Sequence, residues 1–292
     1  MMSQKKWTWT AGVFLFTTLL LPRVLQAQWA TQSIELKPGW NAMQLLVQPA
    51  QVDCATVFTN CPVLKVFWWQ RSGTGMEFDL DPQNPFPRSA DWQYWFAGNP
   101  SISTFENLLA GESYEIFVAT GSAPFTLQMK GKPVLNTTRW IPGEPNLVGL
   151  PVSSNQPVSF VDFFSFSSDF VVNPSTATVF RVAGTSSSSQ RVWNPATELI
   201  RSGEAYWITA GSNARQYGGP IQVETETSSR HLDFGGSISP RTLVVKNLTS
   251  ANRNIRITHL FSGTPPAVPG IPALLGKTPL LFKVASSADN YL

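Results

Sequence analysis

The residues best equipped for chemistry in this chain are a set of tryptophans and the carboxylates between them. Trp68 and Trp69 end one apolar run, and Trp92 and Trp95 occupy the next. Asp79 and Asp81 lie in the polar, proline-rich loop Asp79–Pro87 that joins the two. Flat aromatic faces beside carboxylate and amide groups are a common way to hold sugar rings or partner surfaces. Neighbouring residues on a strand face opposite sides, so Trp68 opposes Trp69, and Trp92, Tyr94 and Phe96 oppose Trp95. Two arrangements follow. With one face open to solvent, an aromatic platform is exposed and Trp68, Trp69, Trp92, Trp95, Asp79 and Asp81 are the candidate ligand-binding residues. With that face covered by a neighbouring unit, the same rings are core.

Other chemistry is thinly supplied. The chain has two histidines, His231 and His259. His231 and Asp233 share a strand face, which could orient an imidazole, but no nucleophile motif accompanies them. Glycoside hydrolysis needs two carboxylates about 5–9.5 Å apart, and no spacing among Glu77, Asp79, Asp81, Asp91 and Glu112 selects such a pair. The loop from Asp79 lacks the glycine and glutamate of a calcium-binding hand. No catalytic residue, metal site or cofactor is expected. The two cysteines, Cys54 and Cys61, are expected to form a disulfide if the protein is exported. The condition is geometric. A continuous helix would hold their Cα atoms about 10 Å apart, beyond the roughly 7 Å a disulfide spans. A helical break near Asn60, before Pro62, would satisfy it; otherwise the thiols stay reduced.

The elements that would position these residues occur twice. Pro38-Gly39-Trp40-Asn41 opens an apolar strand running to Val47, and Pro142-Gly143-Glu144-Pro145-Asn146 opens a second one ending at Val152. Ala110-Gly111-Glu112-Ser113-Tyr114-Glu115-Ile116 closes the first unit, and Ser202-Gly203-Glu204-Ala205-Tyr206-Trp207-Ile208 closes the second. Between them the first copy predicts a short helix after Asp53, a strand over Val63–Gln70 and a strand over Asp91–Phe96. The second predicts a helical stretch over Val158–Phe166 and a strand over Ala177–Val182. Phe125–Met129 reads as an edge strand. Alternation predicts that Tyr114 and Tyr206 are buried while Glu115 faces water.

The paired signatures, Gly-Trp-Asn at the opening and Gly-x-x-Tyr-Trp-Ile at the closing strand, resemble a module repeated in exported bacterial proteins. The first copy departs at Glu115 and the second at Pro145, each where tryptophan would stand. The resemblance covers residues 33 to 223 and implies a surface or secreted part without specifying an activity. Behind it, Leu232-Asp233-Phe234-Gly235, the strand Leu243–Val245 and Lys246-Asn247 resemble the start of an immunoglobulin-like domain of the abnormal-spindle/hydin type. About four strands can be read there, against about seven in a complete sandwich.

The first 27 residues have the parts of a secretory signal peptide: Lys5 and Lys6, an apolar run from Ala11 to Leu21, and a site ending at Ala27. That apolar run is shorter than the roughly 20 residues a membrane helix needs. The whole chain holds 21 Lys plus Arg against 18 Asp plus Glu; without Lys5, Lys6 and Arg23 the remainder is formally neutral. No basic face for nucleic acid is indicated. Charged residues make up only 13% of the chain, while turn formers and aromatics are plentiful, as in strand-rich proteins. The expectation is an all-β protein. It comprises a signal peptide (1–27), two homologous β-sandwich or barrel modules (33–133 and 139–223) and a partial immunoglobulin-like domain (224–292). Its expected role is that of an exported, non-catalytic binding or structural protein with a glycan or surface protein as partner. It would meet a membrane only during export. The alternative is a secreted carbohydrate-active enzyme or its carbohydrate-binding accessory module.

Overall fold

The computed structural model describes residues 29–70, 92–135, 138, 140–167, 170, 179–182, 184, 190–192, 194–214, 219–225, 241–257 and 263–266. The expected signal peptide, the loop carrying Asp79 and Asp81, and both histidines lie outside the described residues. In chain order the elements are β1 (Ala30–Leu36), β2 (Gly39–Gln44), β3 (Val47–Pro49), α1 (Cys54–Val57), β4 (Val63–Trp69), β5 (Trp92–Phe96), β6 (Ser113–Val118) and β7 (Phe125–Pro133). Then come β8 (Pro145–Gly149), α2 (Phe160–Phe164), β9 (Val179–Arg181), β10 (Gln190–Arg191), β11 (Ala205–Thr209), β12 (Ile221–Thr225) and β13 (Leu243–Asn247). The protein is all-β, with four antiparallel sheets and no closed barrel among the described residues.

Two of these sheets are the same sheet built twice. Repeat one orders its strands β2-β6-β4-β5, and repeat two orders them β8-β11-β9-β10. The register agrees residue for residue. Met43 pairs with Tyr114 and Asn41 with Ile116; Val148 pairs with Tyr206 and Asn146 with Ile208. On the other side Tyr114 faces Trp68, and Tyr206 faces Arg181. The short helices start alike. Asp53 caps α1 by accepting the Thr56 N–H, and Ser159 caps α2 by accepting the Asp162 N–H. Such caps satisfy amides that a helix start leaves without partners. Each cap residue also bridges the segment before the closing strand, Asp53 to Asn107 and Ser159 to Leu199.

The opening turns show why asparagine recurs. The Asn41 amide donates to the Lys37 and Gly39 carbonyls and accepts the Lys37 N–H. Asn146 does the same with Ile141 and Glu144. Gly39 and Gly143 take left-handed backbone, with φ of 91° and 78°, a region glycine enters without steric cost. Repeat two holds one extra residue here. Gly143 donates to the Ala210 carbonyl and Glu144 accepts from the Ala210 N–H, whereas Gly39 alone opposes Val118.

Each repeat buries one sheet face in its own core. In repeat one, Met43, Val66, Tyr114 and Ile116 pack with α1 and with a three-stranded sheet ordered β1-β7-β3. β7 therefore lies at the centre of that sheet, where an edge strand was expected, because β1 pairs along its whole length. In repeat two, Val148, Tyr206 and Ile208 pack against Phe160, Phe163 and Phe164 of α2. The opposite faces of the two sheets meet each other. Trp40, Ala42, Phe67, Trp69 and Trp92 of repeat one share a core with Leu147, Val182, Ala205 and Trp207 of repeat two. Backbone bonds reinforce the junction along the outer edge of β2: Ala42 N–H to Val182, Gln44 N–H to Gly203, and Gly184 N–H to Trp40. This covers an edge that would otherwise offer unpaired amides to another chain.

β12 and β13 form a separate two-stranded sheet. β12 crosses the boundary expected at residue 223. After β13, residues 254–257 form no ladder, and Ile255 and Ile257 are exposed.

Candidate functional site

Of the two arrangements open to the tryptophans, the covered one is found. Trp69, Trp92 and Trp95 are 2%, 8% and 6% exposed, and Trp68 is half-buried. As alternation required, their rings divide between two faces, but both faces are covered. Trp95 packs on Phe58, and Trp68 sits beside Phe105 and Tyr114, all on the repeat-one core side. Trp69 and Trp92 contact Trp207 of repeat two, with ring centroids 5.4 and 6.0 Å apart. The covering unit is the second sheet. The Trp69 indole N–H is buried there and has no hydrogen-bond partner among the described residues.

Glu115, expected in water, is 1% exposed. It does leave β6 on the face opposite Tyr114. That face, however, is the junction between repeats, where Glu115 Oε1 accepts a 2.7 Å hydrogen bond from the Trp207 indole. Glu115 and Trp207 occupy corresponding positions of the two closing strands, so the residues at which the copies diverge bond to each other. A buried carboxylate requires such a partner, because desolvating it alone is costly.

The tyrosines are buried as expected, Tyr114 at 0% and Tyr206 at 1% exposed. Each hydroxyl ties down the chain five residues upstream. Tyr114 accepts the Leu109 N–H at 2.8 Å, and Tyr206 accepts the Arg201 N–H at 3.0 Å. Burial pushes both phenols above their ordinary value. For Tyr206 the nearby Glu204 carboxylate pushes in the same direction.

The copies differ around these anchors. In repeat one the Trp68 indole donates to Glu112 at 3.4 Å. In repeat two the corresponding pair is Arg181 and Glu204. The guanidinium grips the carboxylate side-on, Nε to Oε2 at 2.9 Å and Nη2 to Oε1 at 2.5 Å, and the Tyr206 hydroxyl donates to Oε2 at 2.8 Å. Arg201 approaches the same carboxylate at 3.7 Å. Burial works against the Arg181 charge, yet its bond to Glu204 and the surrounding negative charge outweigh that and raise its proton affinity. Bidentate pairing of this kind fixes geometry as well as charge.

Arg181, Arg201, Glu204 and Tyr206 line a cleft of about 640 Å³ between the repeats. Glu35, Lys37 and Thr126 of repeat one form one wall. Arg181, Glu198, Arg201 and Tyr206 of repeat two form the other. The volume lies within the range of about 300–1,000 Å³ usual for small-molecule sites. Sequence reasoning missed this site because it needs the relative placement of two repeats. The only available signal was the change from Trp68 to Arg181 and from Leu109 to Arg201 between aligned copies.

The expected disulfide is absent: Cys54 and Cys61 are free thiols. Asn60 does take left-handed backbone, φ 63°, but too late to bring the sulfurs together. Phe58 N–H bonds to Cys54 and Cys61 N–H bonds to Phe58, so successive turns carry the chain forward between them. Cys54 enters the core at the position Phe160 holds in repeat two. Burial, aided by the charge of Asp53, pushes its thiol up to about 12, and burial also raises Cys61. Among the described residues no group of three His, Cys, Asp or Glu side chains is placed to hold a metal ion. Comparison of the chain with known protein families, curated proteins and solved structures finds no match.

Proposed function

We propose that this chain is an exported, non-catalytic binding or structural protein in which two copies of one β module are joined into a single rigid body. The observation that carries this reading is the bond between Glu115 and Trp207. The outward faces of the two sheets, the surfaces a free-standing module would use for partners, are spent on each other. Tyr114, Tyr206 and Arg181 are likewise held by structural bonds, which favours scaffolding over turnover. Export rests on the signal-peptide pattern of residues 1–27 and on the resemblance of the repeats to modules of exported bacterial proteins. The polar cleft favours a second reading, a carbohydrate-binding accessory module or a carbohydrate-active enzyme. Incubating the purified protein with polysaccharides while measuring both saturable binding and released reducing ends tests the proposal. Binding without release, or neither, agrees with it. Release of sugar abolished by Glu204→Gln would replace it with the enzyme.

A further inference from the structure

We propose that the cleft between the repeats is a binding site for a neutral, hydroxyl-rich glycan segment. This inference rests on the non-catalytic binding reading and places the ligand away from the tryptophan strands. Its basis is a comparison inside the molecule. Around Tyr114, repeat one fills the space with apolar groups: the Trp68 and Phe105 rings lie 6.0 Å apart, and both lie against Tyr114. The bridges at Asn107 and Leu199 fix the alignment of the closing segments. Trp68, Phe105 and Leu109 therefore correspond to Arg181, Thr197 and Arg201. Repeat two keeps the buried tyrosine and exchanges its three apolar neighbours for polar ones. Thr197 is exposed, and the Arg181 side opens into the cleft. A core position does not need an arginine, whereas a cleft wall that must donate hydrogen bonds does.

The chemistry of the walls selects the ligand. Among the described residues three cations, Lys37, Arg181 and Arg201, face three carboxylates, Glu35, Glu198 and Glu204. A balanced set gives no net field to concentrate a polyanion or polycation. It offers donors and acceptors together, which suits hydroxyls that both give and take a hydrogen bond. Among the described residues Arg181 spends Nε and Nη2 on Glu204, which leaves Nη1 as a donor held in a fixed plane. Glu204 in turn cannot swing away, because Tyr206 and Arg181 both hold it. Such preorganisation lowers the cost of binding.

Titration calorimetry of the intact protein with cellohexaose, laminarihexaose, chitohexaose and trigalacturonate tests the assignment. The variants are Arg201→Ala, Ser202→Trp to obstruct the cleft, and Leu109→Ala as the repeat-one counterpart. Melting temperature monitors folding in each. The expected result is saturable binding of a neutral oligomer, weakened roughly tenfold or more by Arg201→Ala. Ser202→Trp should abolish binding and Leu109→Ala should leave it unchanged. Binding insensitive to both cleft variants would remove the cleft from the account while leaving a binding protein. Binding of trigalacturonate alone would overturn the neutral class. No binding of any probe would overturn the glycan assignment and leave the structural role standing. Hydrolysis of a probe would overturn the non-catalytic reading instead.

Discussion

The two repeats fold the same way and end up doing different things with the same positions. Tyr114 and Tyr206 are interchangeable: both buried, both bonded to the amide five residues upstream. One residue later the copies part, Glu115 in one and Trp207 in the other, and each completes its partner. At the position opposite the tyrosine, Trp68 closes repeat one and Arg181 opens repeat two. The comparison teaches that a duplicated sheet can keep its buried tyrosine and reassign positions on both faces: Trp68 against Arg181 on the inner face, and on the outer face Glu115 against Trp207, where the change in one copy is matched in the other. Gln44 shows how close that match is. Buried at 1% exposure, its Oε1 accepts from Ser113 and from the Gly149 N–H of repeat two. Any Cβ at residue 149 would collide with the Gln44 side chain, so a glycine there lets the two copies touch.

The largest expected effect is at the shared core. Trp207→Ala empties the middle of the junction and removes the indole donor to Glu115. Truncating a buried aromatic costs about 3–5 kcal/mol, and the lost hydrogen bond to a charged group adds about 1.5–3 kcal/mol, so urea denaturation should show a loss of at least about 4 kcal/mol. Next come the tyrosines. Tyr114→Ala and Tyr206→Ala should each cost about 3–5 kcal/mol; a silent Tyr114→Ala beside a severe Tyr206→Ala would break the equivalence of the repeats. The helix starts sharpen it further. Phe160→Ala should cost about 3–5 kcal/mol and Cys54→Ala about 1 kcal/mol, since far less volume is removed from the corresponding site.

A smaller effect is confined to alkaline pH. The folded protein holds the Cys54 proton to about pH 12, against an ordinary thiol value of 9.0. Below pH 9 the group contributes its full share of stability. As pH rises from 9 toward 12 the unfolded chain ionises first and that share is lost. The tyrosines act in the same direction above pH 10, so unfolding at pH 11 should require less urea than at pH 8. Cys54→Ala should remove part of that difference, and a pH-independent midpoint would contradict the burial. Smallest of all, Leu109→Arg should change stability by no more than about 0.5 kcal/mol, as surface replacements usually do.

Much of this could be read from sequence. The echo of Gly-Glu-x-Tyr located the closing strands, and the alternation of Trp68 with Trp69 and of Trp92 with Trp95 holds in the folded chain. β1 is hard to read in sequence because Gln32 holds one of its inward positions, which leaves only Ile34 and Leu36 as an apolar alternation. Glu115 departs from its expected place in water for a physical reason. Alternation tells which face a residue takes, and the second face of a sheet is wet only if nothing covers it. What covers this one is the other repeat, a contact with no local signature. The same long-range contact created the cleft, so Arg181 and Arg201 carried no mark of a site until the copies were set side by side.

The central claim is that the outer faces of the two repeats form one core, pinned by Glu115 and Trp207. A double-mutant cycle measures this directly. Trp207→Phe keeps an aromatic ring and deletes the donor, and Glu115→Ala deletes the acceptor; each single variant and the pair are unfolded in urea. A bonded, buried pair predicts a coupling of about 1.5–3 kcal/mol. Additive costs, with a coupling within about 0.5 kcal/mol of zero, would show that the two residues do not meet and that the repeats are not joined in this way.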